Sequence, residues 1–297
     1  MCGTRDAIAA AIGYLMCRQD TDGHWEDYDL PTGRSDAWVT AYVGLALAHA
    51  APDQPEAGRA ARRAASWLAR TRPYPAGWGY NDRTGPDADS TAYALLLLRA
   101  AGLAGRDDDE EWLLSLWRPG EGFATYPGPE GWALAHPDVT PVGYCALSAA
   151  SRARLRAELA QALRRSRDSD GTWPAYWWRT RHASTYMNGS LARWFGLLPA
   201  RPVVLPGGDR AVESAFDLAF VTANARLAGQ DVAHTDLLEL LLKLQGAEGH
   251  WPGGPNLRVT RHDARDPWDA PEGELYADTA HLITTASVLR VLLRGRT

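Results

Sequence analysis

Both ends of this 297-residue chain carry one seven-residue pattern. Gln19-Asp20-Thr21-Asp22-Gly23-His24-Trp25 and Gln245-Gly246-Ala247-Glu248-Gly249-His250-Trp251 both read Gln-x-x-x-Gly-x-Trp. Degenerate copies lie between them, at Gly77-Trp78-Gly79-Tyr80, Gly122-Phe123-Ala124-Thr125-Tyr126 and Asp170-Gly171-Thr172-Trp173-Pro174. Self-similarity spread along a whole chain marks a repeat architecture, whose units cannot bury their apolar faces alone and must stack on one another.

Several copies follow an amphipathic helical pattern, as at Ala7 to Arg18, Gly58 to Arg70 and Leu237 to Leu244. Each precedes a more apolar segment opened by Asp or Ser: Asp36, Asp89, Asp138, Ser184, Ser214 and Asp278. These residue types favour the N-cap, so six apolar helices are expected to start there. One polar-faced helix, a Gly-Trp turn and one apolar helix make a unit, and six units must close. The expected fold is all-α, an (α/α)6 toroid forming a single domain over 1–297. Its outer helix near Pro199 to Gly208 is expected to be short or irregular, and no β-alternating run competes. The turn glycines are expected to cap the outer helices with positive φ. Trp25, Trp173 and Trp251 read as clamps between repeats.

Composition narrows the function. No run of eighteen apolar residues exists, so no membrane span is expected. Acidic residues number 36 against 31 basic ones, which does not suit a phosphate-tracking surface, so no nucleic-acid partner is expected. Cys2, Cys17 and Cys145 form no CxxC spacing, and the N-terminus shows no signal-peptide pattern, which points to a cytoplasmic protein.

The Gln-x-x-x-Gly-x-Trp turns resemble the QW repeats of squalene-hopene cyclase and related class II terpene cyclases. Asp87-Ala88-Asp89-Ser90-Thr91-Ala92 is similar to their Asp-x-Asp-Asp-Thr-Ala acid motif. It departs at Ser90, and the chain has room for one toroid where typical class II cyclases have two helical domains. The resemblance implies cyclisation of an isoprenoid, or an isoprenoid-bearing molecule, begun by protonation, with Asp89 as proton donor. It implies no cofactor, with magnesium left open for a diphosphate substrate. The same toroid occurs in protein prenyltransferase β-subunits and complement-type thioester domains. Zinc chemistry of the former lacks a converging Asp, Cys and His, and the Cys-Gly-Glu-Gln segment of the latter is absent.

From the residues alone, Asp87 and Asp89 read equally as helix caps or as a pair in which one carboxylate raises the other's pKa. Asp278-Thr279-Ala280 echoes the motif and, with Glu272 and Glu274 upstream, makes Asp278 a reserve acid. Aromatic faces stabilise cations. Trp38, Tyr93, Tyr186 and Tyr276, at the mouths of apolar helices, and Trp78, Tyr80, Phe123 and Tyr126, on turns, are therefore candidates to line a substrate cavity. His136, His182, His262 and His281 are candidates to hold the acid. Asp107-Asp108-Asp109-Glu110-Glu111 reads as a solvated helix start. The segment Asn256 to Glu274 reads as a long loop, where Arg258, Arg261 and His262 either meet a diphosphate or carboxylate or face solvent. Two other functions remain open. A glycoside hydrolase or lyase would turn its tryptophans to an open cleft; a non-catalytic binding toroid would hold no buried acid of raised pKa in its cavity.

Overall fold

The computed structural model describes residues 3–197, 214–230, 236–266 and 274–294. Its helices are α1 (Thr4–Cys17), α2 (Ala37–Ala50), α3 (Pro55–Arg70), α4 (Ala88–Ala100), α5 (Asp107–Ser115), α6 (Thr140–Ala146), α7 (Ala149–Arg165), α8 (His182–Trp194), α9 (Ala215–Leu227), α10 (Asp236–Lys243) and α11 (Leu282–Arg294). The apolar helices α2, α4, α6, α8, α9 and α11 pack in that order, and α11 returns to α2, so the inner ring closes. Outside it, α1 lies on α11 and α3, α3 on α2 and α4, α5 on α4, α7 on α8, and α10 on α9. The outer helix expected near 199–208 lies outside the described residues.

Sequence explains which helix goes where. Nearly every side chain of α2 is buried, whereas α3 buries one stripe of Ala57, Ala60, Ala61, Ala64, Ala65 and Leu68. Those small side chains let the helix axes approach closely. Among the described residues, no helix is long and apolar enough to cross a membrane.

The turns work by a shared hydrogen-bond code. The indole N–H of Trp25, Trp78, Trp173 and Trp251 donates to the carbonyl ten residues earlier, on Leu15, Leu68, Leu163 and Leu241, at 2.7, 3.1, 3.0 and 2.6 Å. Each carbonyl lies in the last turn of an outer helix, where the regular intrahelical donors run out. The backbone N–H of Trp25, Trp78, Phe123, Trp173 and Trp251 donates to a threonine hydroxyl early in the next inner helix: Thr40, Thr91, Thr140, Thr185 and Thr285. In the two complete copies the glutamine also reaches the neighbouring repeat. Gln19 Nε2 donates to Gly23 O and to Ala60 O of α3, and Gln245 Nε2 to Gly249 O and to Ala7 O of α1. The second bond ties the end of the chain to its beginning.

Several expectations need correction. The turn glycines do not cap the outer helices: α1 ends at Arg18 in the right-handed region, and Gly23 comes five residues later. At Gly249, with φ +94°, a Cβ would stand 2.3 Å from Ala10 O, so the glycine permits contact with the next outer helix. Only Asp36 and Ser214 are N-caps as expected. Helix α4 is capped by Asp87, two residues before Asp89. Asp138 precedes α6 and instead bonds the segment 176–178, α8 opens at His182, and α11 opens four residues beyond Asp278. The acidic run is solvated at Asp107 and Asp108. Asp109, however, is fully buried and bonded to Arg72 and to the N–H of Gly77, while Glu110 accepts from Ser148 and Ser151.

Among the described residues three short antiparallel pairs join the helices, none of them marked by an alternating run: β1 (Asp27–Leu30) with β2 (Gly33–Ser35), β3 (Trp117–Arg118) with β4 (Gly122–Phe123), and β5 (Pro255–Val259) with β6 (Glu274–Ala277). The last pair occupies both ends of the segment read as a loop. Residues of β1, β5 and β6, with the loops beside them, line one end of the ring.

Candidate active site

A cavity of about 1020 Å³ opens where the inner helices begin. Asp89, in the first turn of α4, reaches its wall, and Trp38 of α2 donates its indole N–H to Asp89 Oδ2 at 2.7 Å. Asp89 is half-buried, and it belongs to the cavity lining, so its accessible face looks into the cavity rather than to bulk water. Burial pushes its carboxyl well above the usual carboxylate range, the charges of Asp87 and Asp138 push the same way, and the Trp38 bond opposes them.

Asp87 caps α4 by accepting from Ser90 N and Ser90 Oγ, both at 2.7 Å. The serine that departs from the acid motif thus anchors the neighbouring carboxylate. Burial raises Asp87 to about 6, against these bonds. Asp138, which the sequence suggested only as a helix start, also lines the cavity. Its Oδ2 accepts from the N–H groups of Tyr176, Trp177 and Trp178, and burial raises it to about 6.

Around these acids stand aromatic faces. Trp38 lies 6.3 Å from Tyr80 and 6.1 Å from Trp178, and Trp132 lies 5.4 Å from both Tyr126 and Trp177, measured between ring centroids. The mouth is charged instead, with Arg83, Arg261, Asp263, Arg265, Asp266 and Glu274 on its rim. The wall is therefore apolar and aromatic near the acid and polar at the opening, which suits a long apolar molecule with a polar head.

Of the candidate residues, Asp87, Asp89, Trp38, Tyr80, Tyr126 and Tyr276 come together on this wall. Arg261 and Glu274 stand at its mouth, and the remaining candidates are not among the lining residues. Trp78 is a turn clamp, Phe123 packs edge-on to Trp117, and Tyr93 lies tilted against Tyr42 with ring centroids 4.9 Å apart. Tyr186 accepts a hydrogen bond from Arg294, and His182 uses its carbonyl to accept from Asn224. His281 accepts from Gly253 N and stacks on His250. His136 is buried behind the wall against Tyr176. Asp278 accepts from Gly254 N and Thr284 N, and burial with the nearby Asp27 charge raises it to about 7. Arg258 donates to Arg179 O away from the cavity, and His262 pairs with Glu130 at the surface. The group holding Asp89 is thus a tryptophan, not a histidine. Glu272 lies outside the described residues.

Sequence reasoning missed Asp138, Thr125, Trp132, Trp177 and Trp178 on the wall. The aromatic run Tyr176-Trp177-Trp178, directly after a Gly-x-Trp-Pro turn, was the available signal. Among the described residues no group of three or more His, Cys, Asp or Glu side chains is arranged to hold a metal ion.

The toroid and its acid-bearing aromatic cavity place the chain, by fold, with the type II terpene cyclases. The type II terpene cyclase MstE from Scytonema superposes with a TM-score of 0.84 at 25% identity, covering 98% of this chain and 97% of that one. Variants of MstE have been solved with geranylgeranyl dihydroxybenzoate as substrate and with merosterolic acid A as product. The ent-copalyl diphosphate synthase from Streptomyces platensis shares the fold at a TM-score of 0.60 and 18% identity, over 88% of this chain and 50% of that one. A labda-7,13-dienyl diphosphate synthase from Streptomyces clavuligerus is 40% identical over 85 residues, 29% of this chain and 14% of that protein. No family model matches the chain.

Proposed function

We propose that the chain is a single-toroid terpene cyclase of the type II class that starts cyclisation with Asp89. One observation carries this reading: a carboxyl held toward its protonated form by burial, oriented by Trp38 and facing an aromatic-lined cavity. In the proposed step the Asp89 proton adds to a terminal alkene or epoxide of an isoprenoid chain. The cation then migrates through successive ring closures beside Trp38, Tyr80, Tyr126, Trp132, Trp177 and Trp178, whose ring faces stabilise positive charge. The Trp38 N–H stabilises the aspartate left behind. Asp87 acts on Asp89 through its charge, and Tyr276 lies toward the head group. Asp278 we assign to holding the start of α11 rather than to chemistry.

The substrate we infer is an isoprenoid with a polar head, in keeping with the geranylgeranyl dihydroxybenzoate bound to MstE variants and the diphosphates for which the other similar proteins are named. The mouth carries both charge signs, and a magnesium ion would be needed only with a diphosphate head. We place the enzyme in the cytoplasm.

Asp89→Asn tests the reading. The amide keeps the size and the bond from Trp38 but cannot give up a proton to an alkene. Turnover of geranylgeranyl diphosphate or geranylgeranyl dihydroxybenzoate should fall by about 10² to 10⁴, with an unchanged melting temperature. Full activity in this variant would sink the assignment.

A further inference from the structure

Starting a cation cascade needs an acid, and ending it as an alkene needs a base that is not itself protonated. Thr125 lines the same cavity. Its carbonyl accepts from Ala88 N at 2.9 Å, which fixes it beside the first turn of α4. Its hydroxyl lies 2.7 Å from Nδ1 of His136, and the Trp177 indole N–H donates to the same oxygen at 2.8 Å. The other ring nitrogen of His136, Nε2, lies 3.1 Å from Gly131 O. A carbonyl only accepts, so Nε2 carries the ring proton and Nδ1 is the acceptor. The Thr125 hydroxyl proton must then point at Nδ1. With Trp177 using one lone pair of the oxygen, the other remains for the cavity.

We propose that Thr125, backed by His136, is the base that ends the cyclisation. The Thr125 oxygen takes the proton from a carbon next to the cationic centre, while its own hydroxyl proton passes to His136 Nδ1. The C–H bond breaks and its electron pair becomes the new C=C; one O–H bond forms at Thr125 as the other breaks. Threonine ends neutral and His136 ends as imidazolium. The proton from Asp89 stays in the product, so the overall change is an isomerisation; His136 releases its proton to water and Asp89 regains one before the next turnover.

Two features favour this. Burial pushes His136 down to about 3, so the imidazole is neutral at any working pH. A proton beside a carbocation is far more acidic than an imidazolium, and a weak base suffices. Tyr176 lies flat against the ring at 3.9 Å between centroids, placing a π face on the transient cation. Asp89 and His136 are displaced in opposite directions from their ordinary pKa values, as an acid and a base sharing one cavity require.

The inference rests on the proposed cyclase activity, and product analysis separates the two. Wild type, Thr125→Val, Thr125→Ser, His136→Phe and the Thr125→Val/His136→Phe double variant would be incubated with geranylgeranyl diphosphate and geranylgeranyl dihydroxybenzoate. Thr125→Val keeps shape but removes the oxygen, and His136→Phe keeps a ring on Tyr176 but removes Nδ1. Both should divert most product to water-trapped alcohols or alkene isomers, with substrate consumption reduced by about tenfold or less. Thr125→Ser should restore the wild-type product, and the double variant should match the singles because the two residues act as one unit. A Thr125→Val variant with the wild-type product ratio overturns the inference while leaving the cyclase reading intact, and so do additive effects in the double variant. If His136→Phe does not fold, the isosteric Thr125→Val decides alone. A wild type that converts neither compound overturns both readings.

Discussion

At Asp89 two influences compete for one proton. Burial and the Asp87 charge hold it on, while the Trp38 indole favours its loss by binding the anion. Asp87→Asn removes the like charge and keeps the cap, since Asn caps as well as Asp. The Asp89 pKa should fall, so the loss of turnover on raising the pH should begin at lower pH than in wild type; an unmoved pH–rate profile would show that Asp87 acts only as a cap. Trp38→Phe keeps an aromatic face but leaves the aspartate anion without its donor. Turnover should fall by about a hundredfold, the size seen when one donor to a developing charge is lost; single-turnover kinetics would check it. Asp87 and Asp89 were legible because they share a local motif. Trp38 and Asp89, 51 residues apart on adjacent inner helices, were legible only as separate candidates, because nothing in the sequence sets which side chains face across the ring.

Between one helix and the next, each turn joins three elements. The indole binds the end of the outer helix, the backbone N–H binds a threonine on the inner helix, and in the complete copies the glutamine binds a neighbouring outer helix. Trp25 and Trp251 are fully buried. Truncating either to Ala should cost about 3 to 5 kcal/mol, as buried aromatic truncations do, without changing the product of the fraction that stays folded; denaturant unfolding with product analysis would check both. The repeat made these elements legible, since periodicity and turn chemistry are local. Helix starts were not, because an Asp before an apolar run serves equally as a cap for its own helix or as an acceptor for a distant strand or loop. Asp138 and Asp278 took the second role. The strand pairs were missed for a related reason: β5 and β6 are too short to show alternation and meet only because the ring brings 255–259 to 274–277.

Over the whole molecule, buried acids and the buried His136 pull stability in opposite directions with pH. His136 is lowered to about 3 by burial, so its contribution is lost as pH falls below the ordinary histidine value. Asp278, raised to about 7, and Asp89, raised well above the usual carboxylate range, contribute stability that is complete at low pH and lost as pH rises through their folded values. The Asp278 contribution is lost between its ordinary value of 3.8 and about 7, so the melting temperature of wild type relative to Asp278→Asn should fall as pH rises across that range. A difference that does not change with pH would contradict the raised value. The seam between Gln245 and Ala7 has a kinetic consequence. It joins residues 238 apart, so it carries a large loop-closure entropy and belongs late in folding. Until α11 meets α2 the inner ring that carries Trp38 and Asp89 is open. A chain halted there is inert rather than slow, and its uncovered inner helices are the surface from which aggregation starts.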